Sequence, residues 1–292
     1  MHEALRIVIV GAGGRLGAAL QRELGRSAAV RGFTRAQLDL SDPENIRRQL
    51  AASDFNVLIN AAAQTNVDRC ETNADEAFAL NAEAPRVLAR ICQEQGARLV
   101  QISTDYVFDG DQREPYREND EAHPISIYGA SKLEGERRVL AADPANIVAR
   151  VSWVFGPDRP SFVDWIVQQA REKEHVTAVA DKISTPSYTI DLAGMLWSLL
   201  SRTAPGGIWH LANDGQCSWQ EYGQWALDCC QAEGVPIRAR EVGAISLAEM
   251  KNFVARRPVN SVLATDRFQQ FTGTKPRPWR AAVAEYVRGL VR

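Results

Sequence analysis

A tyrosine and a lysine, Tyr128 and Lys132, lie four positions apart in the segment Tyr-Gly-Ala-Ser-Lys. Residues i and i+4 share one face of a helix, so the phenol and the ammonium should point into the same cleft. A free tyrosine has a pKa of about 10, which is too high for efficient proton exchange at neutral pH. A fixed positive charge favours the phenolate, so we expect Lys132 to lower the pKa of Tyr128. The spacing is common, and its meaning depends on the elements around it.

A glycine-rich loop near the amino terminus indicates a nucleotide site. The segment Gly-Ala-Gly-Gly-Arg-Leu-Gly at 11–17 follows a short β-branched run and opens a helical stretch. Glycines at this place let the backbone turn tightly and approach a pyrophosphate, whose charge lies at the helix amino terminus. The sequence therefore predicts dinucleotide binding. The residues assigned to the cofactor in this loop are Gly11, Gly14, Arg15, Leu16 and Gly17.

Short β-rich runs alternate with helical stretches through the first half of the chain. This alternation predicts an α/β fold with a doubly wound parallel sheet of the Rossmann type and a smaller C-terminal substrate-binding lobe. We expect residues 1–150 to form the dinucleotide-binding domain, with later segments returning to it. Residues 151–292 should form mainly the substrate-binding lobe. Ala74 to Gln95 is predicted to be one helix, kinked at Pro85.

The end of the second predicted strand bears on the choice of cofactor. Proteins selective for NAD usually place an acid there to bind the ribose hydroxyls. This chain instead has Arg35, which could pair with the 2′-phosphate of NADP. The nearest acid, Asp39, comes later and should lie near the adenine, and Leu40 is assigned to the cofactor with it. We therefore expect NADPH, with NADH as the open alternative.

A hydroxyl upstream of the tyrosine completes a set of groups suited to carbonyl reduction. Thr104 follows a predicted strand at 98–103, and residues that leave neighbouring strand ends converge over the cofactor. Above a nicotinamide, Thr104 would orient the carbonyl and Tyr128 would supply the proton. Lys132 would tune the tyrosine and hold the ribose. The predicted catalytic residues are Thr104, Tyr128 and Lys132.

These motifs resemble the extended short-chain dehydrogenase/reductase superfamily and, within it, the dTDP-4-dehydrorhamnose reductase family. The glycine loop and the Tyr-Lys pair are typical of the whole superfamily, whereas S-T-D-Y-V-F with N-A-A-A-x-T-x-V-D is much more specific. The matching stretches run nearly from end to end, at 11–17, 60–68, 103–110, 128–132, 150–156, 207–213, 218–219 and 257–261. Related dehydratases carry Thr-Asp-Glu, so Tyr106 in place of the glutamate argues against elimination and for simple 4-keto reduction.

The resemblance implies that NADPH delivers hydride to C4 of a dTDP-6-deoxy-4-keto-hexose and that the product is dTDP-L-rhamnose. Ala61, Ala62 and Ala63 would line the cofactor, being small enough for close approach. Trp153 could stack on the sugar or base, and Arg257 could pair with the diphosphate, since a guanidinium matches phosphate oxygens. The segment 184–187 should form a loop over the cleft. The residues assigned to the substrate are Thr104, Asp105, Tyr106, Trp153 and Arg257.

Composition excludes several other classes of function. The chain has 34 basic and 36 acidic residues, which leaves no electrostatic footprint for nucleic acid or an anionic membrane. No apolar run approaches the ~18 residues of a membrane span, and the start lacks the features of a signal peptide, so we expect a cytoplasmic protein. Five cysteines without a C-x-x-C pair argue against a disulfide framework, and neither they nor the histidines have metal-ligand spacing.

Two other functions stay open from the sequence. The chain could reduce a different nucleotide 4-keto-6-deoxy sugar, because pocket shape decides the stereochemistry. It could also be a non-catalytic NADP-binding regulatory subunit, although such a protein would be free to lose the catalytic side chains that are present here. Some family members are metal-linked dimers, so a homodimer and a need for Mg²⁺ are both left open.

Overall fold

The first half of the chain alternates strands and helices. The structure is a computed structural model that describes residues 4–291. Its first strands are β1 (Arg6–Val10), β2 (Ala29–Phe33), β3 (Val57–Asn60), β4 (Arg98–Thr104) and β5 (Ile147–Val151). The helices among them are α1 (Arg15–Leu24), α2 (Pro43–Ala51), α3 (Val67–Thr72), α4 (Ala74–Phe78), α5 (Ala84–Gln95) and α6 (Ile127–Ala142). A 3-10 turn at Asp105–Val107 follows β4 directly.

The second half mixes shorter strands with longer helices. Its strands are β6 (Val154–Phe155), β7 (Val176–Val179), β8 (Ile183–Ser184), β9 (Ser187–Tyr188), β10 (Gly207–His210), β11 (Cys217–Ser218) and β12 (Val242–Ile245). Its helices are α7 (Phe162–Glu172), α8 (Thr189–Ser201), α9 (Trp219–Ala232), α10 (Asp266–Thr272) and α11 (Trp279–Val291). A 3-10 turn lies at Leu247–Glu249.

A six-stranded sheet forms the centre of the molecule, in the order β2-β1-β3-β4-β5-β10 with every neighbouring pair parallel. Strands β3 and β5 are buried along their whole length, as expected where helices cover both faces. The chain winds outward from β1 to β2 and then returns to β3 on the other side of β1. In open α/β sheets the ligand crevice lies at such a switch point, beyond the carboxyl ends of the strands. The predicted doubly wound fold is confirmed.

Three apolar cores stabilise this arrangement. Helices α1 and α8 pack on one face of the central sheet, and α2 and α5 cover the other. A third core joins α7, α9 and α11 with β7 and β12, away from the sheet. Strand β10 and helices α8 and α10 therefore return from the second half of the chain to the first core. A domain boundary at residue 150 stays a prediction.

Two local predictions need correction. The helix predicted from Ala74 to Gln95 is interrupted by a π-helical turn at Ala79–Glu83, just before Pro85. Proline has no amide hydrogen to donate, and here it begins the next helical segment. The segment 184–187, predicted as a loop over the cleft, is instead buried and contains parts of β8 and β9.

Candidate active site

A cavity of about 860 Å³ opens over the carboxyl ends of β1, β3, β4 and β5. It brings together residues from seven separate stretches of the sequence, because parallel strands end at the same edge of the sheet. Of the predicted site residues, those that line it are Gly11, Gly14, Arg15, Leu16, Arg35, Asp39, Leu40, Ala61, Ala62, Ala63, Thr104, Asp105, Tyr106, Tyr128, Lys132 and Trp153. Gly17 and Arg257 do not line it.

The glycine loop is shaped by two close backbone approaches. Gly11 has φ +85°, and a Cβ there would lie 2.8–2.9 Å from Ala62. A Cβ on Gly17 would lie 2.1 Å from the Gly11 carbonyl oxygen, so this glycine serves helix–loop packing without reaching the cavity. Helix α1 begins after Gly14, which supplies no side-chain cap. The first amides of α1 are therefore available to an anion such as a pyrophosphate.

Arg15 fastens this loop to the second half of the chain. Its guanidinium donates to the carbonyl oxygens of Val154 and Arg159 at 3.1 Å each, and also to that of Pro160. In return, Nε of Arg159 donates to the carbonyl oxygen of Gly13 at 2.7 Å. Arg15 thus lines the cavity while its donors are engaged in fixing the cavity wall.

The far end of the cavity carries the residues predicted to select the cofactor. The Arg35 side chain is 80% exposed and lies 4.0 Å from the Asp39 carboxylate. Hydrogen bonds from Ser41 hold the pKa of Asp39 below its usual value, so the acid is ionised at neutral pH. An exposed guanidinium at the end of β2 is free to turn towards a phosphate on an adenosine ribose.

Tyr128, Thr104 and Lys132 meet at the opposite end of the cavity. All three are buried, and all three line the same cavity. Nζ of Lys132 donates to the carbonyl oxygen of Ile102 at 2.6 Å. Burial lowers the pKa of Lys132 to about 8. The geometry brings a proton-bearing phenol, an orienting hydroxyl and an ammonium to one place.

The expectation that Lys132 lowers the pKa of Tyr128 is not met in this structure. Burial raises the pKa of Tyr128 well above its ordinary value, and the hydrogen bond with Thr104 only partly opposes this. The nearby charge of Asp105 adds to the increase. Desolvation of a buried phenolate therefore outweighs the stabilisation that the Thr104 side chain gives to the phenolate. The phenol is held in its protonated form, which is the form that a proton donor needs.

Asn81 connects two elements of the site. It lies in the π-helical turn, where its Oδ1 accepts from the Gln64 amide at 2.8 Å. Its Nδ2 donates to the Gln64 carbonyl oxygen and to Oγ of Ser131, both at 3.0 Å. Because Ser131 lies next to Lys132 on α6, Asn81 ties the catalytic helix to the loop after β3. π-Turns are frequent at functional sites, but they leave no simple sequence signal.

Asp105 is surrounded by hydroxyl groups from both halves of the chain. Its Oδ1 accepts from Thr104 at 3.1 Å, and its Oδ2 accepts from Ser184 at 3.2 Å and Ser261 at 2.5 Å. The fully buried Lys182 lies close enough to oppose the effect of burial, which raises the pKa of Asp105. The carboxylate therefore orients the Thr104 hydroxyl, and three of its acceptor positions are already engaged.

Trp153 has an unsatisfied polar atom and a strained backbone at the cavity wall. Its φ is +37°, in the left-handed region that residues other than glycine rarely adopt. Its indole Nε1 is buried and finds no acceptor among the residues described, 4–291. Trp219 supports the ring with a centroid distance of 5.6 Å. A buried donor without a partner, at a site with this strain, indicates a place for a ligand acceptor.

Arg257, predicted to pair with a diphosphate, binds a carboxylate instead. Its guanidinium contacts both oxygens of Asp68, at 3.0 and 2.6 Å, and stacks over Phe253. Asp68 also accepts from the amides of Val254 and Ala255 at 2.9 Å each. This pairing joins two of the sequence motifs, 60–68 and 257–261, across the mouth between the two halves of the chain.

Several other residues line the cavity without having been predicted from the sequence. Some of them are sequence neighbours of predicted residues, as Thr34 is of Arg35. Their position next to a motif is a signal that could have identified them. The apolar ones carry no chemical signal, since they resemble any core residue at a strand end. The additional lining residues are Gly13, Thr34, Ala36, Leu38, Thr65, Val67, Leu80, Ile102, Ser103, Val151, Val154 and Arg159.

Comparison with known proteins agrees with this geometry. The family described as "RmlD substrate binding domain" matches residues 5–291. A dTDP-4-dehydrorhamnose reductase of Mycolicibacterium smegmatis is 38% identical over 295 residues, covering 99% of this chain and 86% of the relative. This chain belongs to the dTDP-4-dehydrorhamnose reductase family. The resemblance recognised in its motifs is thereby confirmed.

Two further relatives of this chain are informative about the cofactor and the substrate. The crystal structure of the Bacillus anthracis dTDP-4-dehydrorhamnose reductase in complex with NADP superposes with a TM-score of 0.92 at 31% identity, covering 98% of this chain and 100% of that one. A probable dTDP-4,6-dihydroxy-2-methyloxan-3-one 4-ketoreductase of Streptomyces antibioticus is 36% identical, covering 96% of this chain and 94% of the relative.

The described residues contain neither a metal-binding cluster nor a membrane-spanning helix. Within residues 4–291, no three side chains of His, Cys, Asp or Glu are grouped closely enough to hold a metal ion. In the same part of the chain, every helix is too short or too polar to cross a membrane.

Proposed function

We propose that this chain catalyses the NADPH-dependent reduction of the 4-keto group of dTDP-4-dehydrorhamnose (dTDP-4-dehydro-6-deoxy-L-mannose) to give dTDP-L-rhamnose. The observation that carries the proposal is that Thr104, Tyr128 and Lys132 are buried together at the end of a nucleotide-sized cavity. Named relatives with the same full-length fold support the reductase class and the nucleotide-sugar substrate.

The residues at the other end of the cavity fit a dinucleotide. The uncapped amino terminus of α1 and the close approach at Gly11 suit a pyrophosphate, and the exposed Arg35 suits a 2′-phosphate. Ala62 and its neighbours leave room for the cofactor backbone beside β3. When bound, NADPH supplies the hydride that reduces the carbonyl carbon.

Three side chains would manage the proton and the charge of this reaction. Tyr128 is kept protonated by burial, and it would give its proton to the oxygen as negative charge develops there. Thr104, held in place beside Asp105, would hydrogen-bond the same oxygen once its single hydroxyl proton turns from Asp105 to that oxygen. Lys132 has donors beyond the one that Ile102 accepts, and these would bind the nicotinamide ribose. Its charge would also stabilise the phenolate that proton transfer leaves behind.

The substrate would lie against Trp153, Tyr106 and the Thr104–Asp105 pair. The unpartnered indole N–H of Trp153 would donate to an oxygen of the sugar or the diphosphate. Tyr106 packs edge-on against Tyr128, with ring centroids 5.6 Å apart, and so shapes the space beside the proton donor. Arg257 is proposed to support the wall through Asp68, because its guanidinium is already paired.

A panel of nucleotide sugars tests the assignment. Purified protein is mixed with NADPH and with dTDP-, UDP- or GDP-linked 4-keto-6-deoxy sugars, and absorbance at the NADPH band is followed. The proposal expects the fastest oxidation with dTDP-4-dehydrorhamnose and a rhamno-configured product by NMR. Oxidation with none of the 4-keto sugars would contradict it and would favour the non-catalytic NADP-binding alternative.

A reductase for another dTDP-linked keto sugar is the second candidate. The Streptomyces antibioticus relative, named as a probable 4-ketoreductase of a different dTDP-sugar, is nearly as similar to this chain as the reductases named for rhamnose. The same panel separates the two, because a product with another configuration at C4 would identify the second. A cytoplasmic location and a homodimer stay predictions.

A further inference from the structure

Lys132 lies in a buried setting built from three elements. Its Nζ donates to the Ile102 carbonyl oxygen of β4, and Cys70 of α3 lies nearby. Burial and the surrounding carboxylates raise the pKa of Cys70 to about 11, so this thiol is neutral at physiological pH. Glu136 lies one turn further along α6, on the same helix face as Lys132, so its carboxylate is the charge that should act most on the ammonium.

Glu136 is fixed in place by partners on the central sheet. The residue is 2% exposed and does not line the cavity. Nε and Nη2 of Arg150 donate to its two oxygens at 3.0 and 2.7 Å, and Oγ of Ser103 donates to Oε1. Ser103 directly follows Ile102 on β4, so two consecutive strand residues hold Glu136 and Lys132 at their helical spacing.

Arg150 is in turn supported from behind. Its Nη1 lies 3.5 Å from Nε2 of His210, whose Nδ1 lies 3.1 Å from the Tyr116 carbonyl oxygen. A carbonyl oxygen only accepts and a guanidinium only donates, so His210 carries its proton on Nδ1 and accepts at Nε2. Burial and the charge of Arg150 lower the pKa of His210 to about 3, which keeps it neutral. The carboxylate of Glu118 also lies near Arg150.

We propose that Glu136 is a positioning residue for Lys132: a buried counter-ion, fixed by Arg150 and Ser103, that keeps the ammonium charged without occupying its hydrogen-bond donors. The inference rests on the proposed reductase function, in which Lys132 binds the ribose and acts on Tyr128. A mobile carboxylate would turn to the ammonium and compete with the cofactor for its donors. Engaging the carboxylate oxygens with Arg150 and Ser103 prevents that competition.

The sign of the effect follows from the groups around the ammonium. Burial disfavours the charged form of Lys132, and the carboxylate of Glu136 opposes burial. The other groups that face Lys132 are the Cys70 thiol and the Ile102 carbonyl, while Tyr128 lies one turn earlier on α6 with Asp105 beyond it. Removing the charge of Glu136 should therefore make Lys132 lose its proton at a lower pH.

NMR of labelled lysine side chains can measure this directly in the protein without substrate. The chain has only five lysines, so the Lys132 signal can be assigned by its loss in Lys132→Arg. In Glu136→Gln, the pKa of Lys132 is expected to fall by about 1 unit, the lower end of the effect of one adjacent opposite charge. Lys182 is an internal control, because it is equally buried but faces Asp105. In turnover assays, the pKa that describes the alkaline limb of the kcat–pH profile should fall by the same amount.

Glu134→Gln is the matched control, since it removes a carboxylate of the same helix that pairs with Arg138 at the surface. It should leave the Lys132 titration unchanged. If Glu136→Gln does not fold, the double variant Glu136→Leu/Arg150→Met removes both buried charges and should fold, because an apolar replacement of a buried pair is tolerated. In this double variant, a smaller decrease in the pKa of Lys132 is expected.

An unchanged Lys132 titration in whichever variant folds would overturn the inference. The titration needs no turnover, so a failure of the proposed function would be seen separately, as wild-type protein that binds NADPH but reduces no sugar.

Discussion

The cofactor end and the substrate end of the cavity are built in different ways. The cofactor end consists of short contiguous segments, such as the loop at 11–17 and the alanines after β3, which adjacent strands of the sheet bring together. The substrate end depends on pairs far apart in the chain: Asp105 binds Ser261 across 156 positions, and Asp68 binds Arg257 across 189. Arg15 and Arg159 also tie the cofactor end to the second half of the chain, but they fasten a loop that the sheet edge already positions, whereas the substrate end is assembled by such pairs.

The two ends also differ in how their charges meet solvent. The Arg35 guanidinium at the cofactor end is 80% exposed, whereas Lys182 and Asp105 at the substrate end are 0% and 2% exposed. A buried charge is costly unless it is paired and hydrogen-bonded, so its partners become indispensable. Substitutions at the substrate end should therefore change activity or stability more than substitutions at the cofactor end. Their effects should also depend less on salt concentration.

Tyr128→Phe, at the centre of the substrate end, should have the largest effect. Losing the proton donor should lower kcat by about 10²–10⁴-fold, the range for a general acid, with little change in NADPH affinity. Turnover and cofactor titration measure the two quantities. Tyr286→Phe is the control, because it removes another buried tyrosine hydroxyl, which is bonded to Asp164 and does not line the cavity. Near-normal turnover in Tyr128→Phe would show that another group delivers the proton.

The double variant Ser184→Ala/Ser261→Ala tests whether the second half of the chain orients the catalytic hydroxyl. Asp105 would lose two of its three hydroxyl donors, and its hold on Thr104 would loosen. We expect kcat to fall about tenfold, in keeping with the loss of one to two hydrogen bonds to a charged group. Ser187→Ala, in the same buried segment but not bonded to Asp105, should keep its kcat. Equal kcat values in the two proteins would mean that Asp105 does not need these donors.

The sequence predicted the cofactor end better than the substrate end for a physical reason. The turn at Gly11 and the helix start after it are set by neighbours in the chain, and parallel strands must bring their ends together. Nothing local indicates that Lys182 is buried beside Asp105 or that Arg257 turns to Asp68. The raised pKa of Tyr128 was missed because the spacing to Lys132 is visible in sequence, whereas the depth of burial is not.

Asp68→Asn tests the link across the mouth of the cleft. The carboxylate accepts four hydrogen bonds from residues 254–257, so its loss should cost about 2 kcal/mol of unfolding free energy at pH 7. Arg257 lowers the pKa of Asp68 from 3.8 to about 2. Since the folded pKa is depressed, the stabilisation is complete above the unfolded value near 4 and disappears as the pH falls through 2.

Urea unfolding of wild type and Asp68→Asn at a series of pH values measures this difference. The two stability curves should run parallel above pH ~4 and converge below it. Asp111→Asn, a change at an exposed carboxylate, should follow the wild type throughout. A gap between wild type and Asp68→Asn that persists unchanged to pH ~2 would show that the carboxylate charge is not what Arg257 recognises.

Arg35→Ala should have the smallest effect, since it alters the exposed cofactor end. An exposed ion pair contributes at most about 1 kcal/mol, so the preference for NADPH over NADH should fall about fivefold. Arg26→Ala, another exposed arginine at the end of α1 and outside the cavity, should keep the wild-type ratio. Raising the salt concentration should weaken the wild-type preference and leave the effect of Ser184→Ala/Ser261→Ala unchanged, because only exposed charges are strongly screened. A preference that neither Arg35→Ala nor salt alters would mean that buried groups select the cofactor, and the two ends of the cavity would then follow the same rule.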